Sequence, residues 1–126
     1  MQINIFSDDR DFILNLYESS ALINGGKAEE TGVSVEEPNR AVGAFEGWYE
    51  IAAALGIIGI PVSIVANLIS SWIWESYKKS KDPNISIKLQ LNKGEETLEI
   101  ELRNIESPED IKESLRLLGL TDDNER

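Results

Sequence analysis

The chain contains no cysteine and no histidine among its 126 residues. Without cysteine there is no disulfide and no thiol nucleophile, and without histidine there is no Ser-His-Asp triad and almost no conventional zinc site. Basic residues are also scarce, since 12 Lys and Arg stand against 23 Asp and Glu, a formal net charge of -11. A surface of this sign repels phosphate backbones, so we expect no nucleic-acid partner.

The start of the chain lacks the marks of a secretory signal. Its first residues, MQINIF, alternate apolar and polar side chains as a β-strand does, with neither a basic start nor a continuous apolar stretch. We therefore expect a cytoplasmic protein whose first strand is part of the fold. The length and the 41% hydrophobic content are typical of one globular domain covering residues 1–126.

The remaining patterns predict an α+β fold in the order strand, helix, short strand, helical pair, strand, strand, helix. A helix is predicted over residues 9–21, and a short strand over residues 33–35 inside a flexible loop covering residues 24–40. A Ser-Pro pair at residues 107–108 begins the last helix, and Gly119 closes it. The predicted architecture is a small sheet of about four strands with helices on one face.

The C-terminal third of the chain predicts a β-hairpin. Apolar and polar residues alternate on both sides of the Lys-Gly pair at residues 93–94. A two-residue turn there sets Leu89 opposite Leu98 on one face and Lys88 opposite Glu99 on the other. One apolar face and one charge-matched face therefore follow from a single register.

Residues 51–74 are the most informative segment, because these 24 residues carry no charge. One continuous helix of this length measures about 36 Å, and the hydrocarbon core of a bilayer is roughly 30 Å thick. Aromatic residues stand at both ends and lysines follow the second end, as in a spanning helix. On this interpretation the chain is a membrane-inserting effector of the inner membrane, which spans or permeabilises the bilayer.

Helix breakers favour a different interpretation of the same segment. Two glycines and Pro61 fall near its middle, and they split residues 45–79 into a pair of helices, over 45–57 and 61–79. Such a hydrophobic pair accounts for the pattern without lipid. Because the strands and flanking helices already supply a small core, we expect the surplus apolar side chains to be buried by a protein partner, a sister subunit or a membrane.

The candidate interface residues belong to this segment. Trp72 and Trp74 fall nearly on opposite sides of a helix, so at least one is expected to be exposed, and exposed tryptophan is a typical interface anchor. Asn67 either fixes the register of an assembly or lies plainly on the helix surface. The two lysines at the end either contact anionic lipid or an acidic partner, or stabilise the helix C-terminus. The predicted partner or membrane surface comprises Trp48, Tyr49, Ile64, Asn67, Leu68, Trp72, Trp74, Tyr77, Lys78 and Lys79.

No motif predicts catalysis. Asp8, Asp9 and Asp11 lack the glycine turn and distal glutamate of a calcium loop, and they suit a helix N-terminus. The GGK sequence at residues 25–27 lacks the spacing of a phosphate-binding loop. We therefore expect no catalytic residue, metal site or cofactor, and a protein that is not an enzyme.

The layout resembles the effector-associated constant component family of bacterial conflict systems, which defend against phage. The resemblance lies in the MQINI strand running into SDD and an early helix, AAALG at residues 52–56, WIWESYKK at 72–79, NKGE at 92–95 and NIESPED at 104–110. It implies a non-enzymatic adaptor that couples an effector, such as a protease or TIR-like enzyme, to its sensor, a signalling NTPase; self-association is the alternative that the apolar segment itself suggests. The uncharged central segment departs from the family, which leaves the membrane alternative open.

Overall fold

The computed structural model describes residues 1–20, 33–40, 47–55, 62–80, 84–102 and 105–120. Within these ranges a six-stranded antiparallel sheet is combined with three helices, which confirms the predicted α+β class. In chain order the elements are β1 Gln2–Ser7, α1 Arg10–Glu18, β2 Val33–Val35, β3 Asn39–Arg40, β4 Tyr49–Leu55, α2 Val62–Lys79, β5 Ile87–Lys93, β6 Glu96–Leu102 and α3 Pro108–Leu117.

The sheet is built around β1, the predicted first strand. The strand order is β2-β4-β1-β5-β6, and the short β3 pairs with β4 beside β2. Ile5 of β1 lies opposite Ile51 of β4 on one side and opposite Leu89 of β5 on the other. Side chains alternate between the two faces of a strand, so all three point to the same face. This face is buried beneath the helices.

The strand β4 takes the place of the first predicted helix. Tyr49–Leu55 pairs with β1 along one edge and with β2 and β3 along the other. The predicted helix over 45–57 is therefore wrong, as is the interpretation of residues 51–74 as one spanning helix. The predicted breaks at two glycines and Pro61 lie outside the described residues. The sheet gains β3 and β4 beyond the four strands expected.

The reason for this difference is the composition of β4. Ile51, Ala53 and Leu55 are buried at the period of a strand, while Ala52 and Ala54 occupy the opposite face. Alanine on both faces conceals the apolar–polar alternation that marks a half-buried strand, and it carries the highest intrinsic helix propensity. Pairing with neighbouring strands on both sides overrides that local preference.

The second predicted helix is present as α2, and its inner face is part of the core. Trp72 has 0% of its surface exposed, and its Nε1 donates a hydrogen bond to the carbonyl oxygen of Leu16 at 2.6 Å. Ser76 Oγ lies 2.9 Å from Ser19 Oγ. These two contacts join α2 to the C-terminal end of α1. The main core cluster comprises Ile3, Ile5, Phe12, Ile13, Leu16, Val33, Ile51, Ala53, Leu55, Val65, Ile69, Trp72, Ile73, Ile87, Leu89, Leu91, Leu102, Ile105, Ile111, Leu115, Leu118 and Leu120.

The expectation that the uncharged segment exceeds what its own sheet can shelter is wrong for most of its described residues. Ile51 and Leu55 lie in the sheet core, and Val65, Ile69 and Ile73 on α2 belong to the same buried cluster. No helix among the described residues is both long enough and apolar enough to cross a bilayer.

The predicted hairpin forms in a register shifted by two residues. Leu89 lies opposite Ile100, and Leu98 lies opposite Leu91. The turn begins at Gly94, one position later than predicted, and Gly94 has a φ of 61°. Glycine enters this left-handed region without the penalty that a Cβ brings, so it takes the first turn position. A shift of two keeps every side chain on its predicted face.

The ends of α1 and α3 follow local rules. The Asp9 side chain accepts a hydrogen bond from the Phe12 amide at 3.1 Å, and Ser107 is the N-cap of α3. Beyond α3, Gly119 has the left-handed φ of 93° that helix ends favour. α1 ends at Glu18, three residues before the predicted end. The predicted strand over 33–35 is confirmed; β3 shows more structure than the flexible loop expected for residues 24–40, of which 24–32 lie outside the described residues.

We expect Trp72→Ala to lower the free energy of unfolding by about 3–5 kcal/mol, because it removes a fully buried ring and leaves a cavity. The matched control is Leu117→Ala on α3, since Leu117 is 61% exposed and an exposed substitution changes stability by about 0.5 kcal/mol or less. Urea denaturation followed by circular dichroism measures both. Equal midpoints for the two variants would contradict the assignment of Trp72 to the core.

Candidate functional site

The outward face of α2 carries Ile64, one of the large apolar side chains that remain exposed among the described residues. Ile64 is 49% exposed, and Asn67, Ser71 and Lys78 follow it along one stripe at helical spacing. Half-buried side chains border this stripe on both sides. We call the face the α2 surface and define it by Ile64, Asn67, Leu68, Trp74, Tyr77, Lys78 and Lys79.

Trp74 is held in place on the α2 surface by its neighbours. Its ring stacks with that of Tyr77, with centroids 6.2 Å apart and an interplanar angle of 29°. Lys78 Nζ lies 5.8 Å from the Trp74 ring centroid and 3.1 Å from Glu75 Oε1. A cation–π contact at an exposed site contributes roughly 0.5–1 kcal/mol. The indole is therefore a half-buried aromatic with a defined orientation before any partner binds.

The structure separates three of the predicted site residues from this surface. The assignment of Trp72 to a partner surface is wrong, because its indole is fully buried and bonded to α1. Trp48 lies just before β4, where Lys88 Nζ is 5.8 Å from its ring centroid. Tyr49 begins β4 and lies beside α1 in a different cleft. The other seven predicted residues lie on α2, and Asn67 is exposed on its surface.

A groove between α2 and α3 extends the α2 surface. It has a volume of about 400 Å³ and brings Ala66 and Asn67 next to charged side chains of α3. Among these, Arg116 Nε donates to Glu113 Oε2 at 3.0 Å. This hydrogen bond holds the pKa of Glu113 below its ordinary value and raises that of Arg116. Each charge of this pair therefore stabilises the other at the rim of the groove.

The open face of the sheet carries a polar network that sequence reasoning missed. Asn4 is only 8% exposed, and its Nδ2 donates to Glu50 Oε2 at 2.6 Å. Its Oδ1 accepts from Gln2 Nε2 at 2.8 Å and from Asn92 Nδ2 at 3.2 Å, and Asn92 Oδ1 accepts from Thr97 Oγ1. Asn4 alternates with buried isoleucines in MQINI, a signal that could have located the network. Both the nitrogen and the oxygen of the Asn4 side-chain amide already have hydrogen-bond partners. We therefore assign the network a role in stabilising the sheet.

Chemistry-bearing clusters are few in the described ranges. No group of three or more acidic side chains there is placed to hold a metal ion. The three aspartates near α1 include Asp9, which caps the helix, and Asp8, whose Oδ1 accepts from the Ser86 amide at 2.9 Å. Asp8 and Asp9 thus act as structural hydrogen-bond acceptors.

Comparison with protein-family models, with curated proteins and with solved structures found no match to this chain.

We expect Trp72 and Trp74 to differ in their access to solvent. The variant Trp48→Phe/Trp74→Phe leaves Trp72 as the one tryptophan, so its emission should be blue-shifted and poorly quenched by acrylamide. The matched control Trp48→Phe also keeps Trp74 and should give redder emission and a larger Stern–Volmer constant. Identical quenching in the two proteins would contradict the half-exposed position of Trp74.

Proposed function

We propose that this protein is a non-enzymatic interaction module that binds a protein partner through the α2 surface. The position of Trp74 supports the proposal most directly. Its ring remains partly accessible on the outside of a helix whose other tryptophan is in the core, and Tyr77 and Lys78 fix its orientation. Tryptophan and tyrosine are the side chains most enriched at binding hot spots, and rigid aromatics lose little conformational entropy on binding.

The chemistry of the surroundings indicates the kind of partner. Ile64 and Trp74 supply apolar contact, and the charges that border the adjoining groove are balanced, with two acids and two bases: Glu109 and Glu113 with Lys112 and Arg116. Lys78 is already paired with Glu75. With a net charge of -11 over the whole chain, the protein is attracted to a partner of positive charge. The partner that fits has an apolar pocket for the indole and a net positive charge.

The cellular role that we propose is that of a cytoplasmic adaptor in a bacterial defence system, which couples an effector such as a protease or TIR-like enzyme to a signalling NTPase. This part rests on the resemblance of the sequence layout to the effector-associated constant component family. Self-association through the same surface is compatible with the proposal. A role that needs residues 51–74 as one helix is not proposed, because they divide between β4 and α2.

We expect the double substitution Ile64→Glu/Trp74→Ala to weaken partner binding at least about tenfold, which corresponds to the roughly 1.4 kcal/mol of a modest hot-spot loss. The tagged chain would be coexpressed with each protein encoded by the neighbouring genes, and complexes measured by size exclusion and calorimetry. Trp72 is not a suitable target, because its substitution disturbs the core. Leu117→Glu is the matched control, since it alters an exposed leucine outside the α2–α3 groove.

The result that supports the proposal is loss of a complex in the double variant, with an unchanged circular dichroism spectrum and with binding retained by Leu117→Glu. Sedimentation of the chain alone identifies a second copy as the partner if a dimer dissociates on the double substitution. Undiminished binding by the folded double variant would show that the α2 surface is not the interface.

A further inference from the structure

A second cleft lies between α1 and the β3–β4 pair, away from the α2 surface. Its volume is about 210 Å³, below the roughly 300 Å³ at which pockets for drug-sized ligands begin. None of its lining residues belongs to the α2 surface. They are Arg10, Ile13, Leu14, Pro38, Asn39, Arg40 and Tyr49.

The pairing of β3 with β4 explains why a cation and a phenol meet in this cleft. Arg40 lies directly opposite Tyr49 in an antiparallel pair, so the two side chains leave the sheet on the same face. Tyr49 lies two positions before Ile51 in β4, so both side chains point to the face that α1 covers, whereas Ala52 points to the opposite face. Arg40 is thereby directed to the α1 side of the sheet.

Helix α1 supplies the opposite wall. Arg10 is its first residue, and Ile13 and Leu14 follow three and four positions later, which places all three on one side of the helix. Ile13 is 1% exposed, so the floor of the cleft is continuous with the core. Two arginines from separate elements thus line a cleft with an apolar floor.

The two arginines stand out electrostatically in so acidic a chain. Within the ranges that the structure describes, neither Arg10 nor Arg40 forms an ion pair or a side-chain hydrogen bond, whereas Arg116 on α3 is paired with Glu113. A guanidinium presents a planar fork of donors that matches a carboxylate in two parallel hydrogen bonds. An anion in the cleft would satisfy donors that the described part of the chain leaves open.

The size and charge of the site select among anions. The apolar floor and the proline wall favour an aromatic or branched aliphatic body next to the anionic group. The net charge of -11 opposes a doubly charged phosphate ester more strongly than a singly charged acid. We propose that this cleft binds a small apolar monocarboxylate, either a free acid or the C-terminal carboxylate of a peptide, through Arg10 and Arg40.

The test is a titration of the ¹⁵N-labelled chain with 3-phenylpropionate, followed by ¹H–¹⁵N NMR. The amides of Arg10, Leu14, Arg40 and Tyr49 should shift, and 3-phenylpropanol, which has the same body without the charge, should leave them in place. Arg10→Gln and Arg40→Gln should each weaken binding about tenfold, the scale expected for a charge-assisted hydrogen bond. Arg116→Gln, the matched control on α3, should leave the affinity unchanged.

A peptide ending in phenylalanine, with a free or an amidated C-terminus, distinguishes the two sources of the carboxylate. Tighter binding of the free-ended peptide than of 3-phenylpropionate assigns the site to a chain terminus, and the reverse assigns it to a small acid. Four results would each overturn the proposal. They are equal binding of the alcohol, unchanged affinity in both cleft variants, tighter binding of inorganic phosphate, and no amide shift by either carboxylate at about 10 mM. At that ligand concentration even a millimolar Kd is visible. Partner binding by the α2 surface is measured separately and does not depend on this outcome.

Discussion

The hydrogen bond from the Trp72 indole to the Leu16 carbonyl links the two helices on which both proposed surfaces depend. A helix leaves its last four carbonyl groups without helical partners, and α1 ends at Glu18. The Ser19 amide donates a hydrogen bond to the Asn15 carbonyl, and the Ser20 amide donates one to the Tyr17 carbonyl. The Leu16 carbonyl points into the core, where an unpaired acceptor would be costly, and Trp72 Nε1 satisfies it at 2.6 Å.

This contact also determines which side of α2 faces outward. Successive helical residues are about 100° apart, so a side chain two positions from Trp72 lies about 200° around the helix. Burial of Trp72 against α1 therefore turns Trp74 to a partly exposed position, where its ring packs against the edge of the core and is held by Tyr77 and Lys78. The partial exposure of one tryptophan follows geometrically from the burial of the other.

The parts of the fold that could be predicted from sequence are those determined locally. The alternation in β1, the cap of α3 and the existence of the β5–β6 hairpin each depend on neighbours in the chain. The hairpin register was harder to predict from sequence. Lys88 lies directly opposite Glu101 in the sheet, yet its Nζ is 3.8 Å from Glu99 Oε1. Charge matching thus fits two registers, and the positive φ of Gly94 accompanies the one that forms.

The remaining features depend on contacts between distant residues. The alanines of β4 do not indicate a strand until β1 and β2 are placed beside them. The helical period of α2 places its two tryptophans on different sides but does not indicate which of them is buried. The arginine cleft joins α1, β3 and β4 through residues 10, 40 and 49, and no periodicity within one element brings these together. A pairing such as Arg40 with Tyr49 is visible only once strand register is known.

Helix α1 is fixed at both ends, and this bears on how the two surfaces bind. Asp9 satisfies the Phe12 amide at its start, and Trp72 satisfies the Leu16 carbonyl near its end. The wall of the arginine cleft is therefore ordered before a ligand enters, just as the Trp74 ring is ordered before a partner binds. Preformed sites avoid the ordering cost of roughly 0.5–1.5 kcal/mol per immobilised side chain that reduces affinity elsewhere. The link between α1 and α2 thus orders the helices that carry both surfaces, while the side chains of Arg10 and Arg40, unpaired within the described ranges, still lose conformational freedom when an anion binds.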